Sequence, residues 1–467
     1  MKRDDATTLP PSITTDRPAG RGASATADVA VVTHAARLRG AVNVPGDKSI
    51  SHRALILATL AVGRSRIIGA GDGADVRSTA GIMEALGAVV ERRTGDGRNV
   101  DYVVDSPGGD ALRQPATTLD CGNSGTSLRL VAGMLAGLPM TAVLDGDESL
   151  RQRPVARIIE PLRSMGATLH GRRDDSLPPL TVVGHTPLKA MEYTTQVPSA
   201  QVKSAILLAG LRASGRTTVR EAVVTRDHTE RMLRARGVGV ERVDGPDGGA
   251  AWTIEGGVAV QAITERVPGD PSAAAFWLVA GAIHPDAELT LPDVGVNPTR
   301  RAVIDILRAM GADIDERTTV PDDGVGEPRA DLTVRSSELR GIDIGPAAVA
   351  AAIDEFPVLC LAASQASGIT TIRGAGELRH KESDRISGIA AGLAALGADL
   401  TVEGDDITIR GATTLRGSAT DSRDDHRLAM TFAVAALTAT GQTSIRRPLA
   451  AAISYPGFFE DLERVRA

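Results

Sequence analysis

Apolar and polar residues along this chain follow one pattern that repeats six times. Each copy begins with a few polar or charged residues and continues as an almost wholly apolar run of helical length. The copies are GDKSISHRALILATL, GNSGTSLRLVAGMLAG, PSAQVKSAILLAGL, PGDPSAAAFWLVAGAI, AIDEFPVLCLAAS and DDHRLAMTFAVAAL. A helix that is apolar on all sides is buried, so the pattern predicts six buried helices. Repeats of this length also determine the architecture.

A second kind of segment alternates with the first and is amphipathic. Its copies are DVRSTAGIMEALGA, RIIEPLRSMGA, HTERMLRARGV, NPTRRAVIDILRAMGA and KESDRISGIAAGLAALGA, with a weaker sixth copy, PGFFEDLERVRA, at the end of the chain. Five copies end in a glycine that suits a left-handed C′ position: Gly87, Gly166, Gly237, Gly311 and Gly397. Segments typical of β-strands, such as SRIIGA and VDYVVDS, lie between the helices. This alternation predicts an α/β fold with parallel strand pairing.

Six units divide naturally into two lobes of three. Pro and Gly mark two crossing points, near Pro45–Gly46 and near Arg266–Gly269. The first lobe is therefore expected over residues 46–265, and the second over 34–45 together with 266–467. Residues 1 to about 30 are rich in Thr, Pro, Asp, Arg and Gly, lack the apolar stretch of a signal peptide, and are predicted to be a disordered tail. Ligands favour a cleft between such lobes.

Composition excludes several classes of protein. The formal net charge is -6 and the pI about 5.8, which argues against the basic surface that nucleic acids require. Cys121 and Cys360 are too few for a disulfide framework, so a reducing cytoplasm is expected. No apolar run is long enough to span a bilayer. Aromatic residues make up only 2% of the chain, which fits either codon bias or close helix packing.

The candidate chemistry lies where the predicted helices begin, because helix N-termini favour anions. Two carboxylates there, Asp354 and Glu382, are candidates for proton transfer. Each segment alone has a simpler interpretation: Asp354 and Glu355 as an N-cap pair, and KESDR as an exposed, salt-bridged helix. Together they predict a pocket for two multiply anionic small molecules, with acid–base chemistry between them. The cations at these starts are Lys48, Arg53, Arg153, Arg226, Lys381, Arg385 and Arg427.

Polar groups at three further helix starts have open interpretations. In GNSGTSLR, Gly125 lets a ligand approach the backbone closely, next to Asn123, Thr126 and Arg129. In PSAQVKSA, Ser199 and Gln201 head a buried helix as caps or as ligand contacts. The charges of RDHTE could be only a solvated helix end. The string GDKS does not complete a nucleotide P-loop, and His426 has no partner at metal-ligand spacing.

Taken in order, these motifs resemble the EPSP synthases of the enolpyruvyl transferase family. The resemblance runs from about Leu38 to the C-terminus through GDKSISHR, GNSGT, RQRP, SAQVKSA, RDHTE, NPTR, KESDR and DHR, and its motifs are similar to those of bacterial class II. It implies two lobes of three βαβαββ units. It also implies transfer of enolpyruvyl from phosphoenolpyruvate to the 5-hydroxyl of shikimate 3-phosphate, in the shikimate pathway to chorismate and the aromatic amino acids. No metal or organic cofactor is implied, and the expected state is a monomer.

The resemblance also implies roles for individual residues. Asp354 matches the residue that accepts the hydroxyl proton, Glu382 matches the one linked to protonation of the methylene carbon, and Lys48 joins them in catalysis. The implied contacts to shikimate 3-phosphate are Lys48, Ser49, Arg53, Ser199, Ala200, Gln201, Arg226, Asp354 and Lys381. The implied contacts to phosphoenolpyruvate are Lys48, Gly125, Arg153, Gln201, Arg385 and Arg427.

The chain departs from the family pattern at two positions, and three rival functions stay open. Some relatives carry Lys where this chain has Ile453, and some class II relatives carry Ala where it has Gly125, which leaves glyphosate tolerance open. The enolpyruvyl transferase acting on UDP-N-acetylglucosamine carries a Cys in the loop before Arg-Pro, whereas the loop here reads DGDESLRQRP. A non-catalytic anion binder is the second rival. An RNA-end-processing relative is the third, and the pI opposes it.

Overall fold

The computed structural model describes residues 24–25, 28–94, 99–245 and 248–466. Both predicted sets of helices are present. The buried set is Lys48–Leu60, Gly125–Ala136, Ala200–Gly210, Pro271–Ile283, Phe356–Gln365 and His426–Thr438. The amphipathic set is Ala74–Ala85, Ala156–Ser164, His228–Ala235, Ala302–Ala309, Arg385–Ala395 and Phe458–Val465. Short helical segments cover Gly109–Ala111, Leu150–Gln152, Arg172–Asp175, Pro346–Ala351, Gly376–His380 and Pro448–Ile453.

Six four-stranded sheets accompany the helices. One sheet contains, in spatial order, the strands Thr264–Arg266, Val62–Gly71, Asn99–Pro107 and Val89–Thr94. A second contains Leu119–Asp120, Thr141–Asp145, Leu177–Val183 and Thr168–Gly171. A third contains Glu192–Thr194, Arg216–Glu221, Ala250–Glu255 and Val240–Asp244. The fourth sheet contains Asp313–Val320, Arg329–Arg335, Ala287–Gly295 and Leu38–Ala41. The fifth contains Asp343–Ile344, Gly368–Ile372, Asp406–Gly411 and Asp399–Glu403. The sixth contains Ser24–Ala25, Val29–Thr33, Gln442–Arg446 and Ala419–Asp421. A two-stranded pair joins Leu188–Lys189 to Ala213–Ser214.

Fewer strand pairs are parallel than the alternation of helices and strands predicts. Each four-stranded sheet has one parallel pair and two antiparallel pairs. The reason is that the strand after each of the first five amphipathic helices is followed by a strand that turns back on it, and antiparallel neighbours need only a short connection.

The core consists of two separate hydrophobic clusters. One contains buried residues between Ile50 and Val267. The other combines Val32–Val44 with residues from Ala273 to Val465. These clusters support the proposed lobe boundaries, which we retain as a proposal. The predicted tail lies largely outside the described residues, but Val29–Thr33 pairs with Gln442–Arg446, so the fold begins before residue 34.

The two crossings between the clusters lie side by side. Asp47 N donates to Pro268 O at 2.8 Å, and Asp270 N donates to Pro45 O at 2.8 Å. A Cβ on Gly46 would lie 2.0 Å from a backbone oxygen, so this close approach requires glycine. Each crossing leads directly into a buried helix, and the starts of those two helices are therefore held together.

Local sequence explains where the helices begin and end. Asp47, Ser124, Ser199, Asp270 and Asp425 each cap a buried helix with a side-chain oxygen. The five predicted C′ glycines all have positive φ, between 80° and 106°.

Small residues let the buried helices pack closely. A Cβ on Gly133 would lie 2.4 Å from Ala205 O on the neighbouring helix, and one on Gly392 would lie 2.1 Å from the Phe432 ring. No helix in the described part of the chain is long and apolar enough to cross a membrane.

Candidate active site

The helix starts of the two lobes meet in the gap between the core clusters. Lys48 N, in the first turn of the first buried helix, lies 3.4 Å from Asp270 Oδ2 at the start of the fourth. Further out, Arg226 Nη2 of the first lobe donates to Asp354 Oδ2 of the second at 2.8 Å. Both side chains are only about a quarter exposed. The lobes are therefore in direct contact across this gap, which we call the interlobe cleft.

Asp354 is surrounded by cations from both lobes. Besides Arg226, Lys381 Nζ lies 3.4 Å and Arg385 Nη1 3.5 Å from Asp354 Oδ1. Burial alone would raise the pKa of Asp354, but Lys381 and Arg226, with Arg427 and Arg385 behind them, hold it well below its ordinary value. Asp354 is thus an ionised carboxylate whose basicity is suppressed by its neighbours.

The N-cap interpretation of Asp354 and Glu355 is wrong. The helix Phe356–Gln365 has Glu355 at its N-cap position, and no side chain there accepts a cap hydrogen bond. Glu355 is instead buried against Arg300, at 3.3 Å, and against Ser272. Asp354 is left to face the cleft.

Glu382 is the second carboxylate of the cleft. Its Oε2 accepts a hydrogen bond from Arg385 Nη2 at 2.6 Å, and Asp425 Oδ2 accepts one from Arg385 Nε at 2.8 Å. Burial opposes ionisation, but Arg385, followed by His426, Arg153 and Lys48, holds the pKa of Glu382 far below its ordinary value. KESDR is therefore not a simple exposed helix, because its arginine is almost fully buried.

Lys48 pairs with a carboxylate that the sequence did not single out. Its Nζ lies 2.9 Å from Asp75 Oδ2, on the amphipathic helix that follows. Burial would lower the pKa of Lys48, but Asp75 and Glu382 together raise it. The side chain of Lys48 is consequently held in its protonated, positively charged form near Glu382.

Three of the predicted arginine side chains form no ion pair with the described residues. No carboxylate oxygen of this part of the chain lies within 4 Å of the guanidinium nitrogens of Arg53, Arg153 or Arg427. Arg53 is almost fully buried and donates to Thr229 Oγ1 at 2.7 Å and to Ser204 Oγ at 2.8 Å, and burial lowers its pKa to about 10. Cations with so little compensation are costly unless an anionic ligand pairs with them.

Gly125 lies close to the side chains of two arginines. A Cβ at this position would lie 2.7 Å from Arg129 Nη1 and 3.6 Å from Arg153 Nη1. Arg129 Nη1 also donates to Gln201 Oε1 at 2.7 Å, and Gln201 Nε2 donates to Thr126 Oγ1 at 3.0 Å. The second and third buried helices thus bring a glycine, an amide and the Arg129 guanidinium to one place, and Arg153 joins them from the segment before the helix Ala156–Ser164.

The remaining predicted residues lie at the same helix starts. Ser49 O accepts a hydrogen bond from Arg53 Nη1 at 2.9 Å. Ser199 caps its helix through Val202 N, and Ala200 begins the helix that carries Gln201. Arg153 lies two residues before Val155, the N-cap of the helix Ala156–Ser164.

Sequence reasoning missed the carboxylates that hold the cations in place. Asp425 carried a signal, because an aspartate directly before a buried apolar run is a typical N-cap. Asp75 carried none, since its contact with Lys48 depends on packing between two helices. The charges of RDHTE are not a solvated helix end, because Asp227 and His228 are both at most 3% exposed.

Comparison with known proteins gives one consistent result. The sequence profile of the family described as EPSP synthase (3-phosphoshikimate 1-carboxyvinyltransferase) matches residues 32–462. A 3-phosphoshikimate 1-carboxyvinyltransferase from Gloeobacter violaceus is 50% identical over 438 residues, covering 93% of this chain and 98% of the relative. One from Roseiflexus sp. (strain RS-1) is 50% identical over 435 residues, with the same coverage.

Solved structures agree with the sequence comparison. A structure of EPSP synthase from Acinetobacter baumannii superimposes with a TM-score of 0.84 at 39% identity. The match covers 94% of this chain and 98% of that one.

Proposed function

The chain belongs to the EPSP synthase family, and from that premise we propose that the interlobe cleft binds shikimate 3-phosphate and phosphoenolpyruvate side by side. The protein is a 3-phosphoshikimate 1-carboxyvinyltransferase of the shikimate pathway. It transfers the enolpyruvyl group of phosphoenolpyruvate to the 5-hydroxyl of shikimate 3-phosphate and releases phosphate.

The charge balance of the cleft is the observation that carries the assignment. Of the seven predicted cations, four form ion pairs within 4 Å, and their partners are Asp75, Asp354, Glu382 and Asp425. The guanidinium groups of the other three, Arg53, Arg153 and Arg427, contact no carboxylate among the described residues. Two substrates that each carry a phosphate and a carboxylate would supply the missing negative charge.

We assign the shikimate 3-phosphate site to the side of the cleft near Arg53 and Arg226. Ser49, Ser199, Ala200 and Gln201 add small polar groups and helix N–H donors there. Lys381 and Asp354 approach from the opposite lobe. A ligand phosphate at this place would take over Arg226 from Asp354, which leaves the carboxylate free to face the 5-hydroxyl.

We assign the phosphoenolpyruvate site to the side near Gly125. Arg153 and Gln201 belong to the first lobe, and Arg385 and Arg427 approach from the second. Lys48 lies between the two sites. The close approach of Gly125 to guanidinium groups leaves space for a compact anion in direct contact with backbone and arginines.

The two carboxylates then divide the proton transfers between them. In the first step Glu382, protonated in the ternary complex, gives its proton to the methylene carbon, and the 5-hydroxyl oxygen attacks C2 while Asp354 accepts the hydroxyl proton. The product is a tetrahedral intermediate. In the second step Glu382, now a carboxylate, takes up a methyl proton, and the C2–O bond breaks with its electron pair leaving on phosphate, which Arg153, Arg385 and Arg427 stabilise.

The depressed pKa values fit this division, because cations that the substrates would partly neutralise hold both carboxylates ionised. A phosphoenolpyruvate anion near Arg385, Arg153 and Lys48 would offset part of the positive charge that lowers the pKa of Glu382. That carboxylate thereby becomes able to take up a proton. Substrate binding is thus expected to make both Asp354 and Glu382 competent for proton transfer. Contact between the lobes keeps bulk water away from the cleft.

Release of phosphate on mixing the two substrates tests the proposal. We expect turnover with shikimate 3-phosphate as acceptor and none with UDP-N-acetylglucosamine. The rival enzyme's loop cysteine is missing here, and both cysteines of this chain are buried. Turnover only with the sugar nucleotide, or phosphate release from neither acceptor, would refute the assignment.

Two finer statements belong to the same proposal. We place the enzyme in the cytoplasm, supported by two cysteines that are both free and buried. We also propose a monomer, since the substrate-facing residues all come from one chain. Sedimentation of the purified protein would test the second statement.

A further inference from the structure

One charged cluster between the lobes is not part of the proposed substrate site. The helix His228–Ala235 of the first lobe faces the loop 321–328 of the second. His228 Nδ1 lies 2.7 Å from Glu327 Oε1, and Arg231 Nη1 lies 2.6 Å from Asp322 Oδ1. These two residues are three apart and share one face of the helix. The helix is therefore attached to the second lobe by its side chains.

Asn297 is the centre of this cluster. Its side-chain Nδ2 donates to Asp227 Oδ1 at 2.8 Å and to Glu327 Oε2 at 2.9 Å. One amide thus joins a carboxylate of the first lobe to a carboxylate of the second. Its Oδ1 accepts hydrogen bonds from Thr299 N and Thr299 Oγ1, each at 2.8 Å. Asn297 is 1% exposed, and its whole hydrogen-bonding capacity is used in this contact.

The cluster ends next to a proposed substrate contact. Arg226 directly precedes Asp227, and Asp227 N approaches Thr299 Oγ1 at 3.4 Å. On the other side of Arg226, Thr225 O faces the buried Lys203 at 3.4 Å. The backbone at Arg226 is thus anchored to the first lobe upstream and to the second lobe downstream. Between these anchors, its guanidinium Nη2 donates to Asp354 Oδ2 at 2.8 Å.

We propose that Asn297 is a positioning residue that couples the docking of the lobes to the binding of shikimate 3-phosphate. It holds Asp227 against the second lobe and so aims Arg226 into the cleft. Among the described residues, no hydrogen bond or ion pair joins Asn297 to Asp354 or Glu382. The effect of Asn297 is therefore exerted through Arg226, not on the reacting atoms. This inference rests on the proposed function.

A double-mutant cycle on the full-length enzyme tests the coupling. In Asn297→Ala, the KM for shikimate 3-phosphate should rise roughly tenfold, the cost of one charge-assisted hydrogen bond, while the KM for phosphoenolpyruvate changes much less. In an Arg226→Ala background, the same Asn297→Ala change should leave the KM for shikimate 3-phosphate nearly unaltered, because the group it positions is gone. Additive effects, or equal rises in both KM values, would overturn the inference.

A milder pair of variants covers the case in which Asn297→Ala does not fold. Thr299→Val removes the hydroxyl that meets Asp227 N and keeps the shape, and Thr299→Ser restores the hydroxyl. We expect the valine variant to raise the KM for shikimate 3-phosphate and the serine variant to return it. A rise in both variants, or in neither, would contradict the positioning role. Absence of phosphate release by the unmodified enzyme would instead overturn the proposed function, and this inference with it.

Discussion

Removing the charge of Asp354 should separate catalysis from binding. This carboxylate pairs with Arg226, Lys381 and Arg385 at 2.8, 3.4 and 3.5 Å. Asp354→Asn keeps the shape of the side chain and removes both its charge and its basicity. The three cations then lose an internal competitor for the ligand phosphate.

The substitution is expected to lower kcat and to strengthen the binding of shikimate 3-phosphate, and the two effects differ in size. Loss of a general base lowers kcat by about 10²- to 10⁴-fold. Loss of the competing carboxylate removes a charge-assisted hydrogen bond of about 1.5–3 kcal/mol that the ligand would otherwise have to break. That energy corresponds to an affinity gain of up to roughly a hundredfold. Solvent reaches about a quarter of Arg226, so the gain is expected near the lower end of this range.

Titration calorimetry with shikimate 3-phosphate and phosphate release at saturating substrate measure the two effects separately. We expect the Kd of Asp354→Asn to be unchanged or tighter while kcat collapses. The matched control is Asp399→Asn, which removes an exposed carboxylate 3.8 Å from Arg410 and should change neither quantity. Binding that weakens tenfold or more, or a kcat equal to that of the unmodified enzyme, would refute the reasoning.

Three other expectations follow from the structure. Gly125→Ala should raise the KM for phosphoenolpyruvate and leave that for shikimate 3-phosphate unchanged in steady-state assays, because the new methyl lies 2.7 Å from Arg129 Nη1. Burial lowers the pKa of His52 to about 3, so its contribution to stability is complete above the unfolded pKa of about 6.5 and is lost as pH falls towards 3. Urea titrations should show a loss of about 2 kcal/mol from this histidine at pH 5 that His52→Asn abolishes. Gly392→Ala should cost about 1–3 kcal/mol in the same titrations, whereas Gly81→Ala, whose Cβ meets nothing within 4 Å, should stabilise slightly.

The helical part of the fold could be predicted from sequence because its signal is local. An apolar run of 10–13 residues is typical of a buried helix, all six predicted runs are helices, and five of them have a capping side chain in front. The strand directions could not be predicted in the same way. Alternating elements favour parallel pairing, but the return strand of each hairpin carries no local signal that distinguishes it from a crossover strand.

The site residues likewise differ in whether their sequence signal is local. Cations at helix starts, such as Lys48 and Arg427, are visible in the sequence because their position relative to a helix is local. Asp75 is not visible, since it meets Lys48 only after two helices pack together. Asp425 is visible as an N-cap, but its pairing with Arg385 also depends on packing. The burial of Asp227 and His228 was missed for the same reason, because the residues that cover them belong to the other lobe.

The helix dipoles contribute less to anion binding than the repeat pattern suggested. Every buried helix of the second lobe begins with a carboxylate, namely Asp270, Glu355 or Asp425, and two of these cap the helix directly. Asp270 and Asp425 each accept a hydrogen bond from one N-terminal N–H group, and a carboxylate at any of the three positions offsets the positive end of the dipole. The positive charge of that lobe therefore comes from side chains, above all Arg385 and Arg427. Side-chain cations have fixed places, so such a site recognises the spacing of anionic groups in addition to their charge. Two substrates that differ in the distance between phosphate and carboxylate can then be sorted to different sides of one cleft.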